Sequence, residues 1–143
     1  MALGAAVAPV IHANRLGAAL VAFFLAVGIA AHALDELHGR PLQTRLSQTT
    51  LVVLATASLA GAVAIGVVGT LTISAWLAPL VAFGAFLVVA YNLELFGGRV
   101  HDDMWFALAW GGFPAFTGYF VNALQVRPAG VLVAAACTLL SVA

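Results

Sequence analysis

The sequence predicts an all-α, polytopic transmembrane helical bundle, and three observations carry that expectation. Hydrophobic residues make up 64% of the 143 residues and charged residues 7%, whereas a soluble domain carries about 25% charged residues. Mean hydropathy is +1.14, so the chain lacks the polar surface to cover itself in water and the lipid bilayer is its expected partner. Its apolar runs also approach the roughly 20 residues that cross a 30 Å hydrocarbon core as a helix. Finally, the runs do not alternate between apolar and polar as barrel strands do. A helix satisfies its own backbone polar groups within lipid.

Taken in order, the complete spans cover residues 16–34, 51–73, 76–93 and 104–124. The first is broken only by His32. The second carries Ala57 with Gly61 and Ala62 with Gly66, a small-xxx-small spacing that lets helices approach closely. Trp76 and Trp105 begin the third and fourth spans, at the depth expected for an aromatic belt. Gly111, Gly112 and Pro114 predict a kink within the fourth. Residues 1–11 and 128–143 read as partial spans, the latter opening on Pro128, a residue suited to a first helical turn. The whole reads as one transmembrane domain, and its ends read as cuts through a longer polytopic chain.

Charge excludes some functions and locates others. Net charge is zero and all five basic residues are arginine, which leaves no nucleic-acid footprint. The lone Cys137 builds no disulfide framework. Alternating the spans across a membrane puts Asp35, Glu36, Arg40, Arg45, Glu94, Arg99, Asp102 and Asp103 on one face, eight of the ten formal charges. Arg15 and Arg127 fall on the other. The arginine split of three against two assigns the crowded face to the cytoplasm of a cell inner or plasma membrane.

Two helix ends then stand out. In AHALDELHGRP, residues 31–41, His32, Asp35 and Glu36 fall at i, i+3 and i+4 and share one face. Tyr91 and Glu94 are also three apart, with Asn92 on a neighbouring face. If the first and third spans are neighbours, these stripes line one polar cavity below the membrane surface. Asp35, Glu36 and Glu94 supply the hard oxygen ligands that suit Mg²⁺ together with substrate phosphates, and nearby arginines suit bidentate phosphate contacts. A di-iron or zinc site on His32, His38 and His101 ranks below this, because the spacing matches no HExxH-type box. Arg40, Arg45, Asp102 and Asp103 equally suit plain roles in loops and helix starts, and His12 and Cys137 have no partner in sequence. A transporter would place charge near the bilayer midplane, unlike this one-sided pattern.

The stretches LAVGIAAHALDELHGRP and AYNLELFGGRVHDDMWFALAWGGFPAFTGYF resemble the UbiA superfamily of integral-membrane prenyltransferases. The first is similar to that family's second helix and first Asp-rich motif, the second to its fourth helix, following loop and fifth helix. On the family pattern NDxxDxxxD lie Ala31, His32, Asp35 and Gly39, so Asp35 is retained with Glu36 as a neighbouring carboxylate. Leu95 stands where a lysine would follow Tyr91, with Arg99 the nearest base. The resemblance implies transfer of an isoprenoid from its diphosphate to a lipophilic or aromatic acceptor with Mg²⁺. It implies Asp35 and Glu36 as metal ligands, His32, Arg40 and Arg99 as substrate-binding residues, and Tyr91, Asn92 and Glu94 as catalytic residues. The alternative is a non-catalytic helical membrane protein or subunit.

Overall fold

A computed structural model describes residues 1–142, and among these every regular element is helical. Helix α1 is Ala2–Ala6, α2 is Ala13–His38, α3 is Gln48–Thr72 and α4 is Ala75–Asn92. Helix α5 comprises residues 103–123, and α6 is Pro128–Val142. Helices α2, α3 and α4 are each long and apolar enough to cross a membrane. Large apolar side chains such as Phe24, Leu71, Trp76 and Leu140 are exposed on the bundle. In lipid that exposure carries no penalty.

The expected fourth span is a helix but does not belong to that apolar trio. Its polar content is turned inward: Ala115, Thr117, Gly118, Tyr119, Phe120, Val121 and Asn122 are all buried. Helix α5 packs against α1, α2 and α6, and so serves as the central rod. The opening run differs from the partial span expected over 1–11. It forms only the five-residue α1, seated where Gly4 meets the Ala115 carbonyl and Gly118 meets the Met1 carbonyl.

Helix ends follow local chemistry. Ser47 caps α3 by accepting from the Thr50 amide at 3.1 Å, and Asp102 caps α5 by accepting from the Trp105 amide at 2.8 Å. Such caps satisfy amides that have no intrahelical acceptor. At the start of α2, the His12 amide donates to Asn122 Oδ1 at 2.6 Å, tying that end to α5.

Two helices contain π-helical turns, Phe24–Ala31 in α2 and Ala107–Gly112 in α5. The second falls where a kink was expected, directly before Pro114, which has no N–H to donate. Gly112 there serves contact: an added Cβ would meet Thr138 Oγ1 and, at 3.2 Å, the Ala134 carbonyl of α6. Gly66 does the same for α3 and α4, since a Cβ there would strike Val81. Around the first π segment, Ala30, Ala31 and Val88 form a buried cluster with Trp110 packed on it, joining α2, α4 and α5.

Candidate functional site

Helices α2 and α4 both run toward the charge-rich end, and the connections that follow them meet there. Asp35, His38, Gly39, Pro41, Asn92, Glu94 and His101 line a single pocket of about 310 Å³. Asp35 and Asn92 come from the last turns of α2 and α4, and Glu94 and His101 from the 93–102 connection. The sequence expectation that Asp35 and Glu94 share a rim therefore matches the geometry. The two connections also touch directly, with His38 Nε2 3.7 Å from Glu94 Oε2. Both side chains are about half exposed, and the contact is ionic only when the imidazole is protonated. An exposed pair of this kind contributes about 0–1 kcal/mol. It orients the groups more than it stabilises the fold.

Backbone geometry aims the second connection. Glu94 and Phe96 have φ of +47° and +60°, followed by Gly97 and Gly98 at +68° and +76°. Left-handed backbone is costly for residues with a Cβ, and the glycines relieve half of this turn. The chain thereby doubles back so that His101 Nδ1 donates to the Tyr91 carbonyl at 2.9 Å. A carbonyl only accepts, so Nδ1 carries the proton and the neutral ring keeps Nε2 as an acceptor. The His101 ring stacks on Tyr91 at 4.3 Å, and Tyr91 leans on Trp110 at 4.7 Å.

Other expected site residues lie elsewhere. Glu36 is 1% exposed and points into the connection after α2 rather than into the pocket. Its Oε2 accepts from the Leu42 amide at 3.0 Å, and its Oε1 from the Thr44 amide at 2.6 Å and the Thr44 hydroxyl at 2.8 Å. These bonds make it a latch that folds residues 39–47 back under the helix. Arg40 donates to the Thr44 carbonyl at 3.2 Å within the same loop. His32 and Arg99 are exposed and do not line the pocket. Tyr91, expected as a catalytic residue, does not line the pocket either; its carbonyl and ring contact His101. Conversely, His38, Pro41 and His101 line the pocket. The signal for His38 was its i+3 spacing from Asp35, and for His101 the Gly97-Gly98 reversal that returns the chain to Tyr91.

A second space runs through the bundle interior. Helices α2, α3, α4 and α5 enclose an apolar crevice of about 150 Å³, lined among others by Ala22, Ala26, Gly66, Val88 and Trp110. Val88 and Asn92 are one turn apart on α4, and Asn92 Nδ2 donates to the Val88 carbonyl at 2.6 Å. The polar pocket and the crevice thus follow one another along the same helix, with Trp110 beside the junction.

Mg²⁺ chemistry can be weighed against these donors. Among the described residues, no group of three or more His, Cys, Asp or Glu side chains is arranged to hold a metal ion. Asp35 and Glu94 do share the pocket, and Mg²⁺ commonly takes only one or two carboxylates when substrate phosphates and water complete its shell. Asp35 and Glu94 are thus the two carboxylates the pocket offers a cation, fewer than a resident protein cage needs.

These features define a class: an all-helical protein with three membrane-length helices and a polar pocket at one end of an apolar crevice. No protein-family model, no curated protein and no solved structure matches the chain.

Proposed function

We propose that this chain is an integral membrane protein that binds an isoprenoid diphosphate and transfers the isoprenoid to a lipophilic or aromatic acceptor, as its resemblance to UbiA prenyltransferases implies. The observation that carries this reading is the sequence of environments along α4, with Val88 in the apolar crevice and Asn92 in the acidic pocket one turn later. An amphiphile whose charged head and hydrocarbon tail must lie in line matches that order. At about 10–15 Å³ per water-sized group, 150 Å³ accommodates roughly ten methylene-sized groups.

In this reading Asp35 and Glu94 hold the cation-bound diphosphate, and His38 donates to its oxygens, while His101, its Nδ1 proton held by the Tyr91 carbonyl, borders the site. Bound Mg²⁺ supplies charge neutralisation of the leaving diphosphate. Asn92 borders the path to the reacting carbon, and Tyr91 fixes His101 through its carbonyl. The face carrying the pocket is assigned to the cytoplasm. The test is diphosphate release from a prenyl diphosphate with Mg²⁺ and a hydrophobic acceptor, using the full chain. Asp35→Asn and Glu94→Gln should each lower the rate by at least about 100-fold, consistent with loss of charge stabilisation. Release that persists in both variants removes the pocket from the reaction.

A second reading, a non-catalytic helical membrane protein, is favoured by one observation: Glu36, the second expected metal ligand, is committed to the loop. It predicts no thermal stabilisation by Mg²⁺ plus diphosphate, whereas the enzyme reading predicts a clear upward shift.

A further inference from the structure

The crevice extends to the end opposite the acidic pocket, where Arg15, Ile73 and Leu77 line it, and its chemistry there differs. Arg15, near the start of α2, is the one charged residue that lines it. Among the described residues no carboxylate pairs with Arg15, since the one side-chain ion pair is His38 with Glu94. Deeper in the same crevice stands Thr117 of α5, 7% exposed, whose Oγ1 is buried without a hydrogen-bond partner. This is unusual for the chain. Thr56, Thr70, Thr72 and Thr138 each donate to the carbonyl four residues earlier, and Thr117 makes no such bond. Helix α5 ends at Ala123, so Thr117 lies six residues, about 9 Å, inside that end. A buried hydroxyl left unpaired is costly, and one that makes no bond within its helix is free to donate to an acceptor entering the cleft.

Read inward from that end, the crevice offers an unpaired guanidinium, then a free hydroxyl donor, then hydrocarbon surface. A glycerophospholipid presents the complementary groups in the same order: phosphate, ester carbonyl, acyl chain. We propose that the crevice holds one acyl chain of an anionic glycerophospholipid from the leaflet opposite the acidic pocket, with its phosphate on Arg15 and an ester carbonyl accepting from Thr117 Oγ1. Arginine suits phosphate because its planar fork donates two parallel hydrogen bonds. An anionic head leaves Arg15 neutralised, whereas a zwitterionic head brings its own cation to compete for the phosphate. The proposal does not rest on the diphosphate reading, because it uses neither Asp35 nor Glu94 and needs no Mg²⁺.

The test is native mass spectrometry of the full chain, extracted in mild detergent and exchanged with phosphatidylglycerol or phosphatidylcholine of identical acyl chains, without any diphosphate. The expected result is one retained phosphatidylglycerol per chain, with at least tenfold preference over phosphatidylcholine. Arg15→Gln should abolish that preference and Arg15→Lys should keep most of it. Thr117→Val should weaken retention of both lipids several-fold, and Ala26→Phe, which fills the crevice, should weaken both further. Equal retention of the two lipids by the unmodified chain overturns the proposal, as does an undiminished preference in Arg15→Gln. Full retention in Ala26→Phe overturns the crevice as the acyl site. Circular dichroism of each variant confirms that helix content is kept, and Arg15→Met carries the charge test if Arg15→Gln does not fold.

Discussion

Replacing Thr117 with valine tests how the bundle interior is balanced when no ligand occupies it. Valine keeps the shape of threonine and exchanges the hydroxyl for a methyl group. In delipidated protein the Thr117 hydroxyl is buried without a partner, a condition that costs about 1–3 kcal/mol. Part of that cost is recoverable, because a rotation about χ1 would let the hydroxyl bond the Phe113 carbonyl, as helical threonines commonly do. In membrane proteins the partly unfolded helices also find polar partners, which halves such differences. Thr117→Val should therefore stabilise the delipidated protein by about 1 kcal/mol, or raise the melting temperature by about 2–4 °C for a chain of this size. Adding phosphatidylglycerol should reverse the order, because only threonine donates to an ester carbonyl. The assay is thermal unfolding in detergent, monitored by circular dichroism with and without the lipid. A delipidated Thr117→Val that melts several degrees below the unmodified protein would mean that the hydroxyl already has a protein partner, and the reasoning about the crevice would fail.

Other expectations follow from the same packing. Glu36→Gln should free the loop over residues 39–47, since the amide cannot accept all three bonds as a carboxylate does; limited proteolysis should cleave that loop on the order of tenfold faster, and an unchanged rate would show that the latch is dispensable. Gly66→Leu should destabilise by about 1–3 kcal/mol through overpacking, because the added side chain meets Val81; Val81→Ala should restore most of the loss in a double-mutant cycle. Tyr91→Phe should keep the stacking on His101 and Trp110 and leave diphosphate binding within about twofold, whereas Tyr91→Ala removes three aromatic pairs worth about 0.5–1.5 kcal/mol each and should weaken binding several-fold in titration calorimetry.

Much of the fold was legible because composition and run length report directly on the solvent. Helices α2, α3 and α4 begin and end within about four residues of their expected limits, as boundaries set by caps such as Ser47 allow. Helix α5 was legible as a helix but not as the bundle's centre, since hydropathy records how apolar a segment is and not which neighbours cover it. Its Tyr119 and Asn122 lower its hydropathy and are buried all the same. Gly111 and Gly112, expected with Pro114 to kink the helix, also serve packing: both residues let α6 come close, with the Cys137 carbonyl only 2.6 Å from where a Cβ would stand on Gly111. Sequence spacing marks a glycine without revealing whether it bends a helix or admits another one.

The candidate site divides along the same physical line. Asp35, Asn92 and Glu94 were found because helical periodicity and membrane alternation place them at one end of neighbouring rods, and both rules act over long distances. Glu36 was assigned to the same cavity because it stands at i+4 from His32, beside Asp35 at i+3, yet adjacent residues on a helix point about 100° apart. That difference is decisive at a helix end, where one carboxylate faces the pocket and the other faces its own loop. His101 depends on a reversal through the left-handed Glu94, Phe96, Gly97 and Gly98, a conformation that only the glycines announce. Arg15 and Thr117 were legible least of all, because they are 102 residues apart and neither breaks the apolar pattern enough to be read as a pair. What unites them is depth along two antiparallel helices. Whichever ligand the acidic pocket takes, the polar groups at the two ends of the bundle differ in charge, so the bundle offers amphiphiles from its two faces different terms of binding.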